Sequence, residues 1–235
     1  MARRKSSLGR KWRLYLVATF ALALLAGALW YWWDMQRWAP DEASYPEQGA
    51  YVTDLNGLVG FETVRALGGQ FVYLRASEGA AAKDARFARN VAAAARAGLK
   101  VGALHLFDPC ASADAQSANF VTMVPRDADL LPPAITLSGT GESCPEPVSS
   151  ARVESELMTF INQVEMHAGK QAILKIYPDF EAYYRLAVQI ERDLWLVRDR
   201  IAPDYGGRPW LLWSANAKRA TEASEEKLEW VVVQP

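Results

Sequence analysis

The sequence predicts an α/β domain of five strand–helix units followed by three strands, carried behind a single apolar helix. Three observations predict it. An uncharged run of 20 residues stands near the N-terminus. Short apolar runs then alternate with stretches of helical spacing five times over. After Trp195 the helical spacing fades, yet two more apolar runs follow. Alternation of this kind builds a parallel sheet with helices outside it.

The first element is residues 14–33, LYLVATFALALLAGALWYWW. Its length suits a hydrocarbon core of roughly 30 Å. Residues 1–13, MARRKSSLGRKWR, carry six basic residues and no acidic one, which predicts that this end stays in the cytoplasm. Trp30, Tyr31, Trp32, Trp33 and Trp38 crowd the far end, where amphipathic rings anchor at an interface. The expectation is a single-pass anchor in the inner (cytoplasmic) membrane, N-terminus inside, with the remainder periplasmic. The rival is a cleaved signal peptide, because Ala26, Gly27 and Ala28 fit a small-x-small site. Both readings export residues 39–235.

Residues 34–48 are polar, contain two prolines and read as a linker. The strand-like runs that follow are residues 50–53, 70–76, 100–107, 133–138, 171–177 and 193–197. Helical spacing falls at residues 61–67, 84–97, 111–124, 149–167 and 179–186, with Gly98 as a C-terminal stop. Runs 209–215 and 228–234 supply the last two strands, separated by a polar stretch, AKRATEASEEK, expected as a solvated loop or short helix. One domain spanning residues 49–235 suits this count.

Composition excludes several function classes. Beyond residue 13 there are 27 acidic residues against 20 basic ones, so nucleic acid is not an expected partner. There is no Gly-rich phosphate loop and no His/Cys cluster. With only His105 and His167, neither a metal nor a cofactor is expected. Cys110 and Cys144, in an exported domain, read either as a disulfide or as small buried apolar residues.

Candidate chemistry sits at strand ends. The run QFVYLRASEG closes with Glu78, KVGALHLFDP carries His105 and Asp108, and LPPAITLS places Thr136 and Ser138 at i and i+2, hence on one face. These motifs, with AYVTDLNG and DARFARN, resemble the glycoside hydrolase family 25 lysozymes, the N-acetylmuramidases that cut peptidoglycan. In that family the strands read G-[IV]-D-V-S-x-x-N-G, F-[VAI]-Y-[IV]-K-A-[TS]-E-G, V-G-x-Y-H-F and L-P-x-x-L-D-x-E. The resemblance covers roughly residues 49–215 and implies a TIM-like (β/α)5β3 barrel.

The family's Asp and Glu on the fourth run fall on Thr136 and Ser138, its first-strand Asp on Tyr51, and its late Asp has only Glu229 as a loose counterpart. Glu78 is retained. Glycoside hydrolysis needs one carboxylic acid and one carboxylate, and a hydroxyl cannot donate a proton at neutral pH as a carboxyl can. The resemblance therefore implies a lysozyme-like domain that binds peptidoglycan glycan, or an envelope protein, with little hydrolysis. Glu78, Asp108, Tyr177, Trp195 and Trp213 are the candidate glycan contacts. The alternative is an active glycosidase using Glu78 with Asp108 or Glu142. His105, amid apolar residues, is expected as a hydrogen-bonded core histidine.

Overall fold

The computed structural model describes residues 7–126 and 129–235, and the chain divides into two units after Trp38. The first unit contains α1 (Ser7–Arg37), 31 residues long. Its segment 11–37 is long and apolar enough to cross a membrane. Leu16, Phe20, Leu24 and Trp30 are all exposed, so no protein core accounts for their apolarity. A helix of this kind is compatible with either a membrane anchor or a signal sequence. It continues past the uncharged run, and the Arg37 guanidinium lies over the Trp33 ring at 4.3 Å.

The second unit, Ala39–Pro235, starts earlier than the polar composition of residues 39–47 suggests. Those residues pack on the barrel rather than hang as a free linker. Gln48 is buried, donates from Nε2 to the carbonyls of Pro40 and Tyr45 at 3.0 Å each, and accepts from Trp230 Nε1 at 2.6 Å. Tyr45 meets the Trp213 ring edge-on at 5.6 Å.

The strands are β1 (Gln48–Val52), β2 (Gly69–Glu78), β3 (Ala82–Lys83), β4 (Lys100–Leu106), β5 (Ala134–Leu137), β6 (Ile173–Ile176), β7 (Asp193–Val197), β8 (Leu212–Arg219) and β9 (Leu228–Val233). Their order is β1-β9-β8-β7-β6-β5-β4-β2, and β1 also pairs with β2, so eight strands close into a barrel; β3 is a short antiparallel appendage on β2. Pairings from β1 through β2, β4, β5, β6 and β7 to β8 are parallel, whereas β9 runs antiparallel to both its neighbours. Closure leaves the eight barrel strands no open edge to template aggregation.

The helices are α2 (Phe61–Ala66), α3 (Phe87–Arg96), α4 (Ala113–Met123), α5 (Ser150–Ala168) and α6 (Pro178–Tyr184). Their ends follow local chemistry. Ser112 and Ser149 cap α4 and α5 by accepting from backbone amides of the first turn. After α3, Gly98 takes φ +77° and Leu99 N donates to Ala94 O at 3.1 Å, a Schellman stop. Pro178 opens α6, where its missing N–H costs nothing.

Alternation along each strand creates two apolar layers. Val72, Leu74, Ile135, Leu174 and Leu196 face outward against Phe61, Phe120, Phe160 and Phe180 of the helices. Phe71, Tyr73, Leu104, Ala134, Ile173, Trp195, Leu212 and Val231 fill the lumen. Gly102 makes this possible, since a Cβ there would meet the Tyr73 ring at 2.2 Å. The polar stretch after residue 216 is only partly loop. Residues up to Arg219 continue β8 because they pair with β9, and the Arg219 guanidinium covers the Trp230 ring at 4.1 Å.

Candidate functional site

The C-terminal ends of the parallel strands gather at one rim, as in other barrels whose chemistry sits on that face. In the β2–β4 ladder the register slips between Arg75 and Ser77. Such a slip re-aims the side chains beyond it. Phe71 and Tyr73 belong to the lumen, Ser77 turns away to meet His105, and Glu78 reaches the mouth.

Two open cavities lie at this rim. One, of about 480 Å³, is lined by Glu78, Asp108, Pro109, Ser138, Gly139 and Ser143, among others. The other, of about 490 Å³, lies between Tyr51, Asn56, Lys218, Lys227 and Glu229. Arg75 lies at the rim, with Nη1 on Glu78 Oε2 at 3.1 Å and Nη2 on Asp54. Asp54 therefore reaches Arg75 although it stands three residues beyond Tyr51. Asp108 Oδ1 accepts from Cys110 N at 2.8 Å. Glu142 is exposed, on the 3₁₀ turn 141–143. Glu78, Asp108 and Ser138 are thus brought together; Glu142 does not line their cavity.

The lumen below holds the other expected positions. Thr136 is buried, stands in register with Lys175 of β6, and its Oγ1 has no hydrogen-bond partner. Lys175 is fully buried, with Nζ 2.6 Å from Glu229 Oε1. Its ammonium also sits 4.0 Å from the Tyr51 ring centroid and 4.6 Å from that of Trp195. Glu229 accepts from Ser214 Oγ, and Ser214 Oγ accepts from Trp195 Nε1 at 2.7 Å. Burial pushes the Lys175 ammonium pKa down, and Glu229 opposes that shift. Burial, with Glu229 adding to it, raises Tyr51 well above the ordinary phenol value. Tyr177, half-buried at the rim, is raised for the same two reasons.

Two of the expected glycan contacts lie inside the protein and not at the mouth. Trp195 is 0% exposed inside the lumen and Trp213 is 3% exposed, its Nε1 donating to Arg198 O at 2.6 Å. Both rings are enclosed by protein. Asp108, Tyr177 and Glu78 remain at the mouth. Sequence reasoning missed Lys175, Ser214 and Arg75. A signal for Lys175 existed, because in QAILKIY the lysine shares the period-2 face of Ile173 and Tyr177, an odd place for a charge.

His105 is buried among the Phe120 and Phe160 rings, at 6.2 and 4.6 Å. Its Nδ1 lies 2.8 Å from Ser77 Oγ and its Nε2 3.2 Å from Gln116 Oε1. Because Gln116 Oε1 also accepts from Asp108 N, it is an acceptor, so the neutral imidazole carries its proton on Nε2 and Nδ1 accepts from Ser77. Burial pushes this histidine down to about 4. Between about pH 6.5 and pH 4 the unfolded chain therefore binds a proton that the folded chain does not. That contribution to stability is present above pH 6.5 and is lost as pH falls through the window, with a limiting slope of about 1.4 kcal/mol per pH unit. Urea midpoints measured at pH 7 and pH 4.5 should fall further for the wild type than for His105→Gln.

Cys110 and Cys144 form a disulfide, with Cα atoms 5.4 Å apart, joining the loops after β4 and β5.

Comparison with known proteins agrees with this geometry. A solved family 25 glycosyl hydrolase from Bacillus anthracis superposes with a TM-score of 0.75 at 24% identity, covering 85% of this chain and 93% of that one. A bacterial lysozyme from Streptomyces coelicolor gives 0.72 at 20% identity, over 80% and 92% of the two chains. At these identities the likeness is one of fold. Among curated sequences, the Escherichia coli K12 protein YegX is 28% identical over 147 residues, 61% of this chain and 52% of that protein. The chain thus spans about half the length of this relative. Lysozyme M1 of Streptomyces globisporus is 36% identical over 73 residues, 31% of this chain and 25% of that protein. The family model described as glycosyl hydrolases family 25 matches residues 52–216, and the chain belongs to that family.

Proposed function

We propose that the barrel is a peptidoglycan-recognising domain of the lysozyme type that binds glycan at its mouth with little or no hydrolysis. The observation that carries this reading is the Lys175–Glu229 ion pair at 2.6 Å, beside Thr136 in the ladder. Where the family resemblance expects carboxyl groups, the lumen holds the Thr136 hydroxyl and the Tyr51 ring, with the Lys175 cation beside both. The carboxylate that does reach it is engaged by Lys175 and Ser214. Hydrolysis needs a proton donor and a second carboxylate flanking the bond, and the hydroxyls of Thr136 and Ser138 supply neither. The element order, with a helix after β1, β2, β4, β5 and β6 and none after β7 to β9, supports the (β/α)5β3 plan. The basic residues 1–13 and apolar residues 14–33 support an anchor in the inner membrane with residues 49–235 periplasmic.

Hydrolysis by Glu78 and Asp108 is the competing reading, favoured by their sharing one cavity with Ser138. Release of new reducing ends from purified peptidoglycan separates the two. The full chain in detergent micelles should stay at background while co-sedimenting with the polymer, and Glu78→Gln should weaken that co-sedimentation severalfold. Turnover well above background, abolished by Glu78→Gln, would overturn the binding reading and make Glu78 a catalyst.

A further inference from the structure

We propose that the Cys110–Cys144 disulfide is a redox-sensitive clamp on the glycan-binding cavity at the mouth. The proposal rests on the binding reading above and adds regulation to it. The bridge connects the two loops that form facing parts of the cavity: Asp108 and Pro109 precede Cys110, and Ser138, Gly139 and Ser143 precede Cys144. Little else joins them. At the strand ends Phe107 N donates to Thr136 O at 3.0 Å. Beyond that, no hydrogen bond among the described residues runs between loop 108–112 and loop 138–148. Each loop is instead tied to its own surroundings. Gln116 holds Asp108 through two hydrogen bonds and Ala111 O through a third on the first side, and Tyr184 Oη accepts from Gly141 N on the second. Removing the bridge therefore frees the loops to part while leaving both anchored to the barrel. Cys110 is exposed whereas Cys144 is buried, so an attacking thiolate meets Cys110 first.

The chemistry is thiol–disulfide exchange with a dithiol reductant. Its thiolate forms a bond to Cys110 Sγ as the Cys110–Cys144 bond breaks and Cys144 leaves as a thiolate. The second reductant thiol then displaces Cys110. Two electrons and two protons pass to the protein, and the reductant becomes a disulfide.

The test uses the full chain in detergent micelles with purified peptidoglycan, before and after dithiothreitol, and a Cys110→Ser/Cys144→Ser variant. Reduction should weaken co-sedimentation tenfold or more, and the variant should match the reduced protein. Amide hydrogen exchange should rise in loops 108–112 and 138–148 while β6 to β9 stay protected. Equal binding before and after reduction, or exchange that rises through the whole barrel, would overturn the clamp. If the oxidised chain itself fails to bind, the glycan reading falls, and the exchange pattern alone then decides whether the bridge holds the mouth.

Discussion

Lys175→Met should destabilise the barrel unit by about 3–5 kcal/mol, the cost of leaving one member of a buried ion pair without its partner. Lys175 is fully buried and Glu229 nearly so. Without the ammonium, Glu229 keeps Ser214 as a donor but sits in the lumen as an uncompensated anion. The cation's contacts with Tyr51 and Trp195 are lost as well. Adding Glu229→Gln should restore most of the loss, since a buried pair replaced by neutral groups of similar size is often close to neutral. Urea denaturation of residues 39–235 followed by tryptophan fluorescence measures the wild type, the single variant and the double variant. A single variant within 1 kcal/mol of wild type would mean that the pair contributes little, and the reading of a neutralised lumen would lose its main support.

That pair also marks the limit of what the sequence discloses. The strands and helices were legible because period-2 runs and helical spacing alternate cleanly, and because Gly98 marks where one helix stops. The mouth residues Glu78, Asp108 and Ser138 were legible as strand ends, because the C-terminal rim of a barrel collects them whatever lies between. The lumen was not. Trp195 and Trp213 look alike in sequence, each an aromatic in an apolar run. Only closure of the sheet decides that the first fills the barrel while the second packs beneath Tyr45 and Trp210. Lys175 is hidden for the same reason. Its partner Glu229 is far away in sequence, on the antiparallel strand that closes the barrel next to β1. The two cysteines are a related case: sequence offers the pair, but the distance between two loops is a property of the ladder from β4 to β5. The polar residues 217–219 read as loop because a hairpin's register depends on its partner strand, here β9.

Trp195→Ala should cost about 3–5 kcal/mol, the range for removing a large buried aromatic without collapse around it. The ring is fully buried, contacts Tyr73 at 5.1 Å and Tyr51 at 6.1 Å, and donates to Ser214. A rigid closed barrel has few ways to shrink into the space left behind. Trp195→Phe should cost less, because most of the volume stays, although Ser214 loses its indole donor. Trp195 also touches Lys175, so the two substitutions should not add. A coupling energy of about 0.5–3 kcal/mol is expected between Trp195→Ala and Lys175→Met in a double-mutant cycle, read from urea midpoints. Folded Trp195→Phe protein should co-sediment with peptidoglycan as the wild type does, whereas Glu78→Gln should lose binding with little loss of stability. If Trp195→Phe instead weakened binding as Glu78→Gln does, lumen and mouth would form a single site. If it lowers stability alone, the lumen is the core of the fold and the mouth is where the glycan is held.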